Sequence, residues 1–212
     1  MTRPHKNYLL FAAFLVLAFA TPCELWAASG QTSHFQFKGL TADAEFDTFD
    51  PSGCVETLVS LQAVNGRIKV IGGPQVSSSL FVFIFQADNC TGTELFFGDA
   101  FATLQQGVFQ IDSSLKSATL NTTMDVFDLV SNTSLPVGIS LTWTGSSQLA
   151  GFEDNSNFRD PTFNFKFNSR FSGTFRRGTA SGSVTLSAAN LAPGVTAANL
   201  GSVKEGELSV SH

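Results

Sequence analysis

The clearest alternation of apolar and polar positions sets Phe163, Phe165 and Phe167 on one side and Asn164, Lys166 and Asn168 on the other. A period of two is the mark of a half-buried strand. The same period places Val55, Thr57, Val59 and Leu61 on one face, and Ile139, Leu141 and Trp143 on another. Leu80-Phe81-Val82-Phe83-Ile84-Phe85 is apolar at every position, too short to cross a membrane as a helix, and reads as a strand packed on both faces. Turn chemistry punctuates these runs at Asp50-Pro51-Ser52-Gly53, Thr91-Gly92-Thr93 and Ser131-Asn132-Thr133-Ser134. Asn65-Gly66 predicts a tight hairpin with a return strand over Arg67 to Ile71, and Thr32 to Phe49 predicts two short strands.

No segment beyond the first residues sustains a helical period. Roughly ten strands at turn-to-turn spacing predict an all-β chain forming one antiparallel domain, a sandwich, jelly roll or barrel. The preferred expectation is a single β-sandwich or jelly roll. Gly145 to Pro161 and Ala188 to Leu200 lack a clear period and read as loops, the first being the expected functional one.

The N-terminus changes the picture of compartment. Arg3, His5 and Lys6 precede an apolar run from Tyr8 to Ala20, then small and polar residues, the layout of a secretory signal peptide. Cleavage near Ala27-Ala28-Ser29 divides the chain into a leader over 1–28 and a β domain over 29–212. That site removes Cys23 and leaves Cys54 and Cys90 as an even pair. In an oxidising compartment they are expected to form a disulfide closing a loop of about 35 residues, worth about 3 to 4 kcal/mol. A soluble protein, secreted, periplasmic or at the cell surface, is expected, with no transmembrane segment after cleavage.

Composition then narrows the chemistry. The chain has 22 Phe against 2 Trp and 1 Tyr, and a formal net charge of -5. That charge argues against a nucleic-acid partner, which needs a concentrated basic surface. Beyond the leader the histidines are His34 and His212, near the two ends, which disfavours a Ser-His-Asp site. A cysteine nucleophile is disfavoured by the expected bridge, and two cysteines fall short of a zinc ligand set. Trp143 is assigned to the core rather than to a sugar-stacking platform.

The run Glu153, Asp154, Asn155, Asn157, Arg159 and Asp160 is the candidate binding site, because it gathers oxygen ligands and a cation in the expected loop. It lacks the ligand pattern of an EF-hand; calcium is the minor alternative and no other cofactor or metal is expected. Lys166, Arg170, Arg176 and Arg177 form a basic cluster, with Lys166 and Arg170 on one face. They could meet an acidic glycan or the acidic run upstream, an ion pair being the simpler use.

The segments Asp50-Pro51-Ser52-Gly53-Cys54, Asn89-Cys90-Thr91-Gly92-Thr93 and Leu141-Thr142-Trp143-Thr144-Gly145, followed by Arg170, Arg176 and Ala180-Ser181-Gly182, resemble a group of exported bacterial all-β proteins with no assigned activity. The resemblance implies a secreted β fold and transfers no functional residue. The expected function is therefore non-catalytic: binding, of a glycan or cell-surface component, or a surface role. A carboxylate-dependent glycan-active enzyme and a structural matrix component are the alternatives; the first needs two acids converging in a cleft.

Overall fold

The computed structural model describes residues 32–70, 73–160 and 165–211. The expected leader, Phe163, the side chain of His34 and His212 lie outside what is described. Eleven strands follow in order: β1 Thr32–Phe49, β2 Val55–Val70, β3 Gly73–Asp88, β4 Thr93–Thr103, β5 Phe109–Ile111, β6 Ser117–Asp128, β7 Thr133–Gly145, β8 Ala150–Asp160, β9 Phe165–Leu186, β10 Ala189–Asn190 and β11 Val195–Ser211. All belong to one antiparallel sheet, which bears out the expected all-β domain. Among the described residues no helix is long and apolar enough to cross a membrane.

The pairing closes on itself. β9 pairs β11, then β1, β2, β3, β4, β6 and β7 follow, and β7 returns to β9. Apart from the short or lateral strands β5, β8 and β10, each strand of this ring lies beside its neighbour in sequence, a meander rolled into a barrel. Its inner faces pack against one another as the layers of a sandwich do.

Alternation decides what fills the ring. Ala42, Ala44 and Phe46 of β1, Val59, Leu61 and Ala63 of β2, and Leu80, Val82 and Ile84 of β3 all point inward and are buried. Val137, Ile139, Leu141 and Trp143 of β7 meet them with Ala180, Val184, Ala198 and Leu200. Each fully buried Val, Leu or Ile contributes about 1.5 to 3 kcal/mol relative to exposure, so this lining is the main source of stability. Trp143 is fully buried, as expected; its ring stands edge-on to Phe109, and its indole N–H donates to the Asp43 carbonyl at 3.1 Å.

Several local expectations are corrected. Residues 32–49 are one strand, not two. Asn65-Gly66 lies inside β2, opposite Leu40 and Gly39, and is no hairpin. Gly66 is extended there because the Phe37 ring lies over it and over Gly39, filling the space a Cβ would take at either position. The run from Leu80 to Phe85 is packed on one face only: Phe81, Phe83 and Phe85 turn outward and are half-buried. Both supposed loops contain strand, as β8 within 145–161 and as β10 and the start of β11 within 188–200.

At one end of the barrel three turns use the same device. Each has an Asp carboxylate that accepts backbone amides of its own turn: Asp50 those of Cys54 and Val55, Asp88 those of Cys90 and Thr91, and Asp128 those of Val130 and Ser131. In the last two a hydroxyl pair, Thr91 with Thr93 and Ser131 with Thr133, flanks a left-handed residue, Gly92 or Asn132. Cys54 and Cys90 are disulfide-bonded beside the first two turns, with Cα atoms 5.2 Å apart, as expected. Asp88 approaches the same sulfurs, but atoms bonded to each other offer no metal-binding pair.

At the other end the strands run on. β1, β2, β3, β9 and β11 continue past the last apolar layer, Leu200, Ala42, Ala63 and Leu80, and β8 pairs the continuing part of β9. This six-stranded extension carries the candidate site.

Candidate functional site

The extension inherits the strand registers of the barrel, so the face that lines the core below becomes a solvent-exposed face above. The ladders through β9, β11, β1 and β2 show no register shift. Inward positions of β1 therefore run Phe46, Ala44, Ala42, Leu40, Lys38 and Gln36, passing from apolar to polar within one strand.

What the register collects on this face is positive charge. Lys204, Lys38 and Arg67 sit directly opposite one another on β11, β1 and β2. Lys69 lies two residues from Arg67 along β2, while Arg170 and Lys166 of β9 and Arg159 of β8 continue the same face. All seven are exposed. They are seven of the ten Lys and Arg beyond the expected leader, since the chain's 12 include Arg3 and Lys6. On adjacent strands about 4.8 Å apart, a same-register row of cations with no acid inserted is a cost to the sheet, because like charges directly opposite destabilise it.

Glu153 is the one acidic side chain of this face among the described residues. It accepts from Arg170 at 2.8 Å and from the Asn155 amide at 3.2 Å. Both ends of this ion pair are at least half exposed, so its worth is small. Among the described residues no carboxylate lies within ion-pair reach of Lys38, Arg67, Lys69 or Lys204. The side chains between the cations include neutral polar ones: Asn155, Asn157, Asn168, Gln36, Ser172 and Ser202.

Arg176 marks the boundary between core and extension. It stands in the row of Leu200 and Ala42, half-buried, and donates to the carbonyls of Ser147 and Ser114, tying the segments after β7 and before β6 to the barrel mouth. Its Nε–H is buried without a partner among the described residues. Arg177, the next residue along β9, points to the opposite face.

The opposite face of the extension is aromatic. Phe152 covers Gly173 and lies 5.1 Å from Phe171 and 6.5 Å from Phe175 between ring centroids. Phe37 covers Gly39 and Gly66. Alternation thus sends rings to one side and cations to the other. A further aromatic patch lies on the barrel wall, where Phe97 meets Phe83 and Phe85 edge-on and Phe101 and Phe127 are exposed.

The sequence-expected site is split by this geometry. Glu153, Asn155, Asn157 and Arg159 join the basic face, whereas Asp154 turns to the aromatic face opposite Phe171. Asp160 closes β8, and its side chain lies outside what is described. The run is therefore a strand rather than a loop, and the carboxylates of Glu153 and Asp154 point apart. Two acids converging across a cleft, as glycoside cleavage needs, are not found on this face among the described residues. Lys166 and Arg170 share a face as expected. Lys38, Arg67, Lys69 and Lys204 are not among the sequence-expected residues. Lys38 and Lys204 are isolated in sequence and Arg67 and Lys69 stand two apart, and the signal that could find them is the even-numbered or odd-numbered position each shares with the core residues of its own strand.

Of the carboxyls shifted elsewhere, two lie in the barrel wall and move in opposite directions. Burial pushes Asp43 up to about 6, helped by the charge of Glu45 and opposed by a hydrogen bond from Asn199 at 2.9 Å. Asp128 moves the other way. Desolvation raises it, but is outweighed by the Ser131 hydroxyl and by the amides of Phe97, Val130 and Ser131, so it sits below the ordinary carboxylate value. Comparison with protein families, with curated proteins and with solved structures finds no match to this chain.

Proposed function

We propose that the chain is an exported, non-catalytic binding protein that holds an anionic ligand on the basic face of its extension, outside the cytoplasm or at the cell surface. The observation that carries this reading is the row Lys204, Lys38 and Arg67, three like charges side by side on adjacent strands. A fold that only needed a soluble surface would alternate signs there. In a chain of net charge -5, most cations stand on one face while the acids Asp43, Glu45, Asp47, Asp99 and Asp125 fall on the outer wall. The net charge alone speaks against a concentrated basic surface, yet strand register builds one. Such segregation focuses potential and draws anions to one side. The leader-like N-terminus and the Cys54–Cys90 bridge support an oxidising compartment.

Titration with a sulfated polymer at low and at high salt tests this. The expected result is binding that weakens steeply with salt and falls at least tenfold in a Lys38→Ala, Arg67→Ala, Lys204→Ala triple variant whose melting temperature is no lower than the parent's. Binding indifferent to salt or to all three substitutions would sink the proposal.

A further inference from the structure

Resting on that reading, we infer that the ligand is an extended acidic polysaccharide, lying across the strands of the basic face, with its acid groups on the cations and its hydroxyls on the neutral amides between them. The cations alone do not choose among polyanions. Their neighbours do.

Two features of the face point to sugar. The spaces between cations hold hydrogen-bonding groups that donate and accept at once: Asn157 and Asn168 stand opposite each other on β8 and β9, Asn155 stands opposite Arg170, and Ser172 lies between Glu153 and Lys204. A polyhydroxylated chain offers donors and acceptors to match, whereas a phosphodiester backbone offers acceptors alone. Secondly, among the described residues no aromatic ring stands on this face; Phe37, Phe152, Phe171 and Phe175 are on the other side of the sheet. Single-stranded nucleic acid is held by rings on which bases stack, so this face lacks that platform.

The footprint also suits a linear polymer. The cations from Arg159 on β8 to Arg67 on β2 cover five adjacent strands, about 19 Å across the sheet at the usual strand spacing, with Arg159 and Lys166 six residues further along the strands than the row Lys204, Lys38 and Arg67. Glu153, paired with Arg170, places one negative charge near the β8 side of the track. It sets a position at which an acid group of the ligand is disfavoured and a neutral sugar is accepted.

The test compares four probes by calorimetry at one salt concentration: a sulfated glycosaminoglycan chain, a polyuronate, double-stranded DNA and phosphatidylglycerol vesicles. Parent protein is set beside the Lys38→Ala, Arg67→Ala, Lys204→Ala triple variant and an Asn157→Ala, Asn168→Ala double variant, each with its melting temperature measured. The expected result is tightest binding of a polysaccharide, lost at least tenfold in the triple variant. The double variant should lose several-fold for the polysaccharide, with an unchanged salt slope and unchanged binding of DNA and vesicles. Equal or tighter binding of DNA or vesicles, or a double variant indistinguishable from the parent, overturns the sugar assignment and leaves the anion-binding reading standing. No binding of any of the four probes at low salt removes both.

Discussion

Replacing Asp128 by Ala should open the barrel at its thinnest seam. β4 and β6 are joined by only two register pairs, Gly98 with Asp128 and Asp99 with Phe127, and by the Leu129 amide on the Phe97 carbonyl at 2.8 Å. Asp128 reinforces that seam from a buried position. Its carboxylate accepts from the Phe97 amide across the seam at 3.1 Å, and from the Val130 and Ser131 amides and the Ser131 hydroxyl within its own turn. A hydrogen bond to a charged group contributes about 1.5 to 3 kcal/mol. Water can replace the carboxylate at the exposed turn amides, while the Phe97 amide loses its partner within the wall. The expected cost is therefore about 3 kcal/mol for Asp128→Ala, and about half of that for Asp128→Asn, which keeps one acceptor oxygen. In a domain of this size a loss of about 3 kcal/mol corresponds to about 6 to 12 °C in melting temperature.

The same carboxylate supplies a second, independent readout. Its folded value is depressed, so the stability it adds is fully present above the ordinary carboxylate range near about 3.9 and is lost as pH falls through the lower folded value. The gap between parent and Asp128→Asn should be widest at neutral pH and should close in acid. Thermal melts by circular dichroism across that range measure it, and hydrogen exchange at Phe97 and Leu129 reports the seam directly. If Asp128→Ala stays within about 0.5 kcal/mol of the parent at neutral pH, or if the gap ignores pH, the seam argument is wrong.

Asp43 should show the opposite sign: its folded value is raised to about 6, so its contribution is full below the ordinary carboxylate range and is lost as pH rises toward 6. Asp43→Asn is expected to be more stable than the parent near neutral pH by about 1 to 2 kcal/mol and equal to it in acid, as read from melts across that range. Cys90→Ser removes a bridge worth about 3 to 4 kcal/mol in the unfolded chain, so its melting temperature should fall to that of the reduced parent; no difference between oxidised and reduced parent would refute this. Gly66→Val should cost about 2 to 3 kcal/mol by driving the Phe37 ring off the sheet, and a double variant with Phe37→Ala should recover part of the loss in chemical denaturation.

The barrel is legible in sequence where burial writes a period. Val55 to Leu61, Leu141 with Trp143, and the turns at Asp50 and after Asp128 are each readable from adjacent residues, because a strand's inner face and a turn's hydrogen bonds are local facts. Leu80 to Phe85 misleads: an all-apolar run implies two covered faces, but here the outward Phe83 and Phe85 rings meet Phe97, and Phe81 stands opposite Phe101 on the neighbouring strand. Asn65-Gly66 misleads for a related reason. The dipeptide favours a hairpin when nothing else wants the space above glycine, and Phe37, on the neighbouring strand, wants it. In both cases an aromatic ring from elsewhere decides what the local pattern means.

The basic face lies beyond that reach for a deeper reason. Lys38, Arg67, Arg170 and Lys204 belong to four different strands, and only register brings them to one side. A shift of one residue in any ladder would turn that strand's cation to the aromatic face and its outward residues to the basic one. The apolar layer below prevents such a shift, because the slip that moves Lys38 outward also moves Ala42, Ala44 and Phe46 out of the core. Core packing at one end of each strand thus determines charge placement at the other. The barrel is the device that holds the register, and the extension is where that register becomes a basic face.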